Sequence, residues 1–403
     1  MSSLRRELGL LEGVTYGVGL ILGAGIYAIL GEAAGATGGS VVFAFLLAAA
    51  VASLTGLSYA ELASLYPKAE GDYIYVREAF ESEFLSDVTA FGRLFMGITS
   101  SAAVALAFAG YLSRFVDPSP LVLAVGLVVV VTAINYLGIE LSTRINVLFT
   151  AVEIAGLLII IWIAAGSWEN ARVFHAPNGL VGLVNASFLV FFAYIGFESV
   201  VNVAEETEDA TSTIPRAIIL SIAITTVLYV LVGLSAVALV DWQILGRSAS
   251  PLAEVARVGW GPLGATIVGV IALFSTTNTV LILQISTSRL LYGVSKSEYH
   301  VFPERFSRIH PSREVPHYAV FAVGLGTLPF VFIGDLGFVA ELANLTLLGI
   351  FVLVDAALLR LRYTRPDADR GFRAPLNVGR LSLTALAGLL SCLGLIGFYI
   401  ATW

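Results

Sequence analysis

One cysteine, Cys392, is all that the 403-residue chain carries. An intrachain disulfide is therefore excluded, and so is a thiolate metal site. The four histidines, His175, His300, His310 and His317, fall in or beside loops without the spacing of metal ligands, so no metal centre is expected. Charge is scarce too. Only 13% of the residues are Asp, Glu, Lys or Arg, against about 25% in an ordinary soluble domain. No basic tail or stripe is present to meet nucleic acid, and no Pro- or Ser-rich linker divides the chain. An intramembrane enzyme would need a nucleophile and base inside the apolar segments. No Cys/His or Ser/His pair lies there, so neither catalysis nor a cofactor is expected.

What fills the chain is apolar: 58% of its residues are hydrophobic. A single soluble core would not grow to this length without splitting into domains, whereas lipid solvates the outside of a helix bundle. About eleven runs reach the roughly 20 apolar residues that a membrane-crossing helix needs. Their limits are 10–36, 40–66, 86–113, 119–138, 144–166, 180–204, 215–240, 262–292, 317–333, 336–359 and 382–402. The runs are continuous, without the alternation of a barrel strand. The expected fold class is an all-α polytopic membrane protein, one transmembrane domain over 1–403 in contact with the lipid bilayer. Arg5 and Arg6 precede the first run and no small-residue cleavage site follows, so that run reads as a retained helix. With the N-terminus in the cytoplasm, only Arg114, Arg172, Arg247 and Arg257 face outward, and the other 18 of the 22 Lys and Arg residues face inward. The positive-inside rule then gives a multi-pass protein of the cytoplasmic membrane with its C-terminus outside. The inner stretch 67–83 has apolar residues at helical spacing and reads as a short interfacial helix or as a polar loop.

Two spans carry glycine where a helix would not want it. Span one, YGVGLILGAGIYAILGE, holds Gly17, Gly19, Gly23, Gly25 and Gly31, each costing about 1 kcal/mol relative to Ala in a helix. The expected break is at Gly23–Ala24–Gly25. Span six, FFAYIGFESVVNVAEE, has one central glycine, Gly196, and the expected break lies between Ala193 and Gly196. A break frees amides and carbonyls at membrane depth, which is tolerated only against protein, water or a ligand. The N-terminus of a half-helix attracts a carboxylate, and its carbonyl end suits an ammonium. Gly25 is expected to leave room for a ligand against the backbone. Spans one and six lie five apart, as a five-plus-five inverted repeat with broken helices one and six requires. Residues 10–166 would form the first repeat, 180–359 the second, and 382–402 an extra C-terminal helix. Close helix packing is the alternative use of these glycines, and the Gly19–Gly23 spacing fits it.

The stretches LGAGIYAILGEAAG, LTGLSYAELASLYPKAEGDYIYVREAF, FFAYIGFESVVNVAEETEDATSTIPRAI and SRLLYGVSKSEYHVFPERFSRIHPSREVP cover most of residues 10–360. They resemble the amino acid–polyamine–organocation family of permeases. The resemblance implies the five-plus-five fold, alternating access and a substrate with an α-amino group. It places the substrate carboxylate on amides near Gly23, Ala24, Gly25 and Ile26. It places the amino group on carbonyls near Ile21, Phe191, Phe192 and Tyr194, beside Gly196.

An ionisable residue inside a span is a functional candidate. Glu153 lies about 12 Å along span five from its cytoplasmic end, among apolar neighbours that disfavour a bare charge. It is a natural carrier for a proton. Proton-coupled members of the family often have lysine at the corresponding point, and this chain departs from them, so sodium stays open as the coupling ion. The resemblance implies that Ser275, Thr276, Thr277 and Asn278 in span eight face Glu153 and the span-one break; the alternative is that they act as glue between helices. Glu198, two residues past the second break, is expected as a gate or a second proton site. Glu32, Glu61, Glu341 and Asp355 near span ends are expected to be interfacial. The sequence thus reads as a secondary transporter of amino acids, a proton symporter or an exchanger. Family members for basic amino acids use an acid in span three, and residues 88–116 have none, which favours a neutral side chain. A polyamine or amine exchanger, or a transport-silent amino acid sensor on the same fold, are the alternatives.

Overall fold

The computed structural model describes residues 8–68, 71–138, 143–296 and 302–402. Arg5, Arg6 and His300 lie outside the described residues, as do the side chains of 143–148 and Glu205. Helices make up nearly all of it. Eight helices are long and apolar enough to cross a membrane, and three shorter apolar helices accompany them, among the described residues. The protein is an all-α, multi-pass membrane protein, and each apolar run of the sequence has a helical counterpart.

Span one is two helices. α1 (Leu10–Leu22) stops at Gly23, and α2 (Gly25–Thr37) resumes after Ala24. α3 (Val41–Leu65) follows. The polar stretch after it contains a real helix, α4 (Asp72–Phe80), whose Asp72, Tyr75, Val76 and Ala79 are buried. Next come α5 (Glu83–Leu112), α6 (Pro120–Leu137) and α7 (Thr143–Ala164). α6 begins on a proline, whose missing N–H is not needed there, and ends on Gly138 in the left-handed region.

Span six starts as α8 (Gly179–Val190) and tightens into 3-10 turns at Phe191–Tyr194. The chain then breaks at Ile195–Gly196 and continues as 3-10 turns over Phe197–Glu206. Gly196 has φ 129°, a conformation that L-residues rarely adopt. α9 (Ala210–Leu239), the short α10 (Trp242–Arg247) and α11 (Pro251–Lys296) follow. α11 bends at Gly261, just before Pro262, so the run 262–292 is its part beyond the bend. α12 (His317–Ile333) and α13 (Leu336–Thr364) lead through a two-residue hairpin, Asn377–Val378 with Leu381–Ser382, to α14 (Leu383–Thr402).

The spans pack around a largely apolar core with a few buried polar links, such as Thr132 to Gln284 at 3.1 Å and Asn344 to the Phe188 carbonyl at 2.7 Å. Tyr59 on α3 meets Tyr75 of α4, Phe197 past the span-six break and Phe351 of α13 edge to face, with ring centroids 6.0, 5.8 and 5.5 Å away. Outward faces carry large apolar side chains such as Phe84, Trp162, Leu325 and Leu390. In water these would be a liability; in hydrocarbon they are the proper surface.

Two carboxylates expected at the interface are not there. Glu61 is fully buried. It pairs with Arg362 of α13 and, at 3.2 Å, with Arg370, and it accepts the Ala374 N–H at 2.8 Å. Asp355 is also fully buried, and accepts a hydrogen bond from the Thr55 hydroxyl at 3.0 Å. Both partners come from elements some 300 residues away in sequence, so position near a span end says nothing about them. Glu32 is exposed and Glu341 half-buried, with the Tyr399 hydroxyl 2.8 Å from the latter.

Candidate functional site

A cavity of about 1060 Å³ runs from the two breaks toward the end of the bundle where α4 lies. Its inner wall includes Ile21, Gly23, Ala24, Gly25, Phe192 and Gly196, and its mouth includes Tyr16, Arg77 and Arg289. The opposite end is shut. The Tyr27 hydroxyl donates to the Glu153 carbonyl at 3.1 Å, and the Tyr111 hydroxyl to the Tyr27 carbonyl at 3.1 Å. α10 lies so close to α2 that a Cβ on Gly31 would sit 2.7 Å from the Leu245 carbonyl oxygen.

The two breaks are built against each other. A Cβ on Gly196 would fall 2.6 Å from the Leu20 carbonyl oxygen, and one on Gly25 would fall 2.7 Å from the Ala193 Cα. The direction a Gly25 Cβ would take is filled by Ala193, so the missing side chain admits the second break, while Gly25 still borders the cavity. Tyr229 of α9 ties the breaks together. Its buried hydroxyl lies 2.6 Å from the Ile21 carbonyl oxygen and 3.0 Å from that of Ala193, and donates to this pair.

The amides at the start of α2 are the electropositive end of a half-helix. Ala28 closes the first i→i−4 bond, onto the Ala24 carbonyl at 2.9 Å. The N–H groups of Gly25, Ile26 and Tyr27 precede it and have no partner in their own helix. The Ala24 N–H is taken by the Thr279 hydroxyl oxygen of α11 at 2.9 Å. Of the residues whose carbonyls were assigned to the amino group, Ile21 and Phe192 border the cavity and Phe191 and Tyr194 do not, and the Ile21 carbonyl already accepts from Tyr229.

Glu153 is buried on α7 and borders the cavity. It faces Ser275 and Asn278 of α11, but not in hydrogen-bond geometry. Glu153 Oε1, Ser275 Oγ and Asn278 Oδ1 are all buried without a partner among the described residues. Three oxygens of this kind in one place are suited to a proton or a small cation. The run 275–278 splits by helical period. Thr276 donates to the Ala272 carbonyl of its own helix at 2.7 Å, and Thr277 does not border the cavity. Glu198 is committed elsewhere. It accepts the Gly196 N–H at 2.8 Å and pairs with Arg93 of α5 at 2.9 Å, while Arg93 Nε reaches Asp72 at 3.1 Å. That triad closes one side of the cavity and caps the second break.

Thr279, Tyr229 and Arg93 were not singled out by the sequence reading. For Thr279 a signal existed: Ser275, Asn278 and Thr279 share one helical face at i, i+3 and i+4.

Two interrupted helices meeting at a cavity in a membrane bundle is a transporter's arrangement, and comparison with known proteins agrees. The amino acid permease family model matches residues 8–402. The chain belongs to that family. It falls in the amino acid–polyamine–organocation group that its motifs resemble, whose members are permeases and not enzymes. It is 28% identical over 399 residues to the branched-chain amino acid permease BcaP of Bacillus subtilis, covering 93% of this chain and 84% of that one. It is 27% identical over 395 residues to the methylthioribose transporter of the same organism, covering 93% and 85%. It is 29% identical over 393 residues to the chloroplastic cationic amino acid transporter 6 of Arabidopsis thaliana, covering 89% and 66%.

Proposed function

We propose that this permease takes up a neutral, aliphatic amino acid across the cytoplasmic membrane, driven by a proton loaded at Glu153. One observation carries the reading. Gly25, whose amide has no partner in its own helix, borders the same cavity as Glu153 and Asn278, and Ser275 faces Glu153 just behind that wall. A carboxylate bound at the first and a proton bound at the second would each favour occupancy of the other, as symport requires. Glu153 is buried among apolar neighbours that disfavour a bare charge, which is the argument for a proton over sodium.

The residues 10–166 and 180–359 are read as inverted repeats, with one broken helix in each. The basic residues orient the N-terminus inward and the C-terminus outward, which makes the open end of the cavity cytoplasmic and this conformation inward-facing. A neutral substrate is supported by the lining. The acids Asp72 and Glu198 are both held by Arg93, so among the described residues that line the cavity no second free carboxylate is left for a cationic side chain. The name of the branched-chain relative points the same way.

Reconstitution in liposomes tests this. A panel of radiolabelled L-amino acids is offered with and without an acid-outside gradient. Leucine, isoleucine or valine should accumulate, and faster with the gradient. Flat traces across the panel would overturn the transport reading. Accumulation that follows sodium instead would transfer the coupling ion, and competition by polyamines alone would favour the amine exchanger.

A further inference from the structure

α11 carries a row of hydroxyls, and most of them are spent on their own helix. Thr276 bonds the carbonyls of Ala272 and Leu273, Ser286 that of Leu283, Ser288 that of Ile285 and Ser295 that of Leu291. Thr279 is different. Its oxygen accepts the Ala24 N–H at the span-one break, and it borders the cavity. It sits so near that a Cβ on Gly23 would lie 2.8 Å from it. A threonine hydroxyl has one proton to give, and no acceptor for that proton is found among the described residues.

The hydroxyl is thus an acceptor toward the protein and a spare donor toward the cavity, which Gly25, with an amide unpartnered in its own helix, also borders. A group that satisfies both donors must carry at least two acceptor lone pairs, and the electropositive end of the half-helix favours negative charge. A carboxylate meets both conditions. A protonated amine or polyamine has no lone pair to offer, and a neutral sugar brings no charge to the helix end.

We infer that the Thr279 hydroxyl is a specificity-determining contact that donates to the substrate carboxylate and so selects amino acids over amines that lack it. The inference rests on the amino acid transport reading above. Thr279 also keeps the Ala24 amide paired, while the Gly25 amide stays open toward the cavity.

The test uses the full-length permease in proteoliposomes and the labelled amino acid that the wild type accumulates fastest, with Thr279→Val, Thr279→Ala and Thr279→Ser. Losing a hydrogen bond to a charged group should raise KM by about ten-fold or more in the Val and Ala variants, with Vmax changed far less. Thr279→Ser keeps the hydroxyl and should bring KM back to within about three-fold of wild type. Inhibition by the C-terminal amide of the same amino acid, which has no charged carboxylate, should weaken much less than KM rises. The Ala variant decides the matter if the Val variant does not insert. A KM unchanged in both hydroxyl-free variants overturns the inference while leaving transport intact. So does a Ser variant as impaired as the Val variant, or amide inhibition that weakens as much as KM rises, since either marks a purely structural role. A wild type that moves no amino acid overturns the underlying reading and this inference with it.

Discussion

Replacing Tyr229 with Phe removes one oxygen and keeps the ring. That oxygen is the shared donor to the carbonyls of Ile21 and Ala193, at 2.6 and 3.0 Å. Leaving a buried polar group unsatisfied costs about 1–3 kcal/mol. The two carbonyls are not equal. Ile21 borders the cavity, so water can reach it, whereas Ala193 does not line it and lies against Gly25. The Ala193 carbonyl should carry most of the cost, and the loss should come to about 2 kcal/mol. In detergent, the thermal unfolding midpoint should fall by a few degrees, about what a change of that size produces. Uptake should fall too, because the breaks lose the tether that sets their spacing. A Tyr229→Phe protein with wild-type midpoint and wild-type uptake would refute the idea that this hydroxyl holds the two breaks together.

Gly25→Val should collide with the Ala193 backbone, so the protein should lose its monodisperse peak on size exclusion, with or without substrate; a variant that folds normally and only loses binding would restore the ligand-space explanation. Arg93→Leu leaves Asp72 and Glu198 buried and unpaired, and should cost about 3–5 kcal/mol, with a large drop in folded yield; a yield equal to wild type would show that the triad is not needed. Adding Glu198→Gln to Arg93→Leu should recover part of that yield, because one unpaired charge is removed, and no recovery would contradict the assignment. Glu61→Leu should destabilise the protein through its stranded Arg362 and Arg370, read as a lower unfolding midpoint, whereas an interfacial glutamate would tolerate the change.

The spans and the first break were legible because they are local. A glycine-rich run in an apolar segment states its own cost, and α1 does end at Leu22 and α2 begin at Gly25. The contacts that make the site work are not local. Thr279 meets Ala24 across 255 positions, and Tyr229 meets Ile21 across 208. Nothing in the neighbourhood of either residue announces the partner. Gly25 shows the converse limit: an absent side chain marks a close approach, but only the packed structure says that Ala193 lies where a Cβ would be. Glu198 was legible as unusual, and its capping of Gly196 is in fact a short-range contact that the two-residue spacing allowed.

The most direct measurement pairs wild type with Glu153→Gln in proteoliposomes, following the accumulated amino acid under an imposed acid-outside gradient beside counterflow with no gradient. Glutamine keeps the shape and polarity of a protonated carboxyl but cannot exchange a proton. The account predicts that the variant still exchanges substrate in counterflow and no longer concentrates it when the gradient is applied. If Glu153→Gln concentrates substrate as well as wild type does, the proton is not carried at Glu153 and the account of coupling is contradicted.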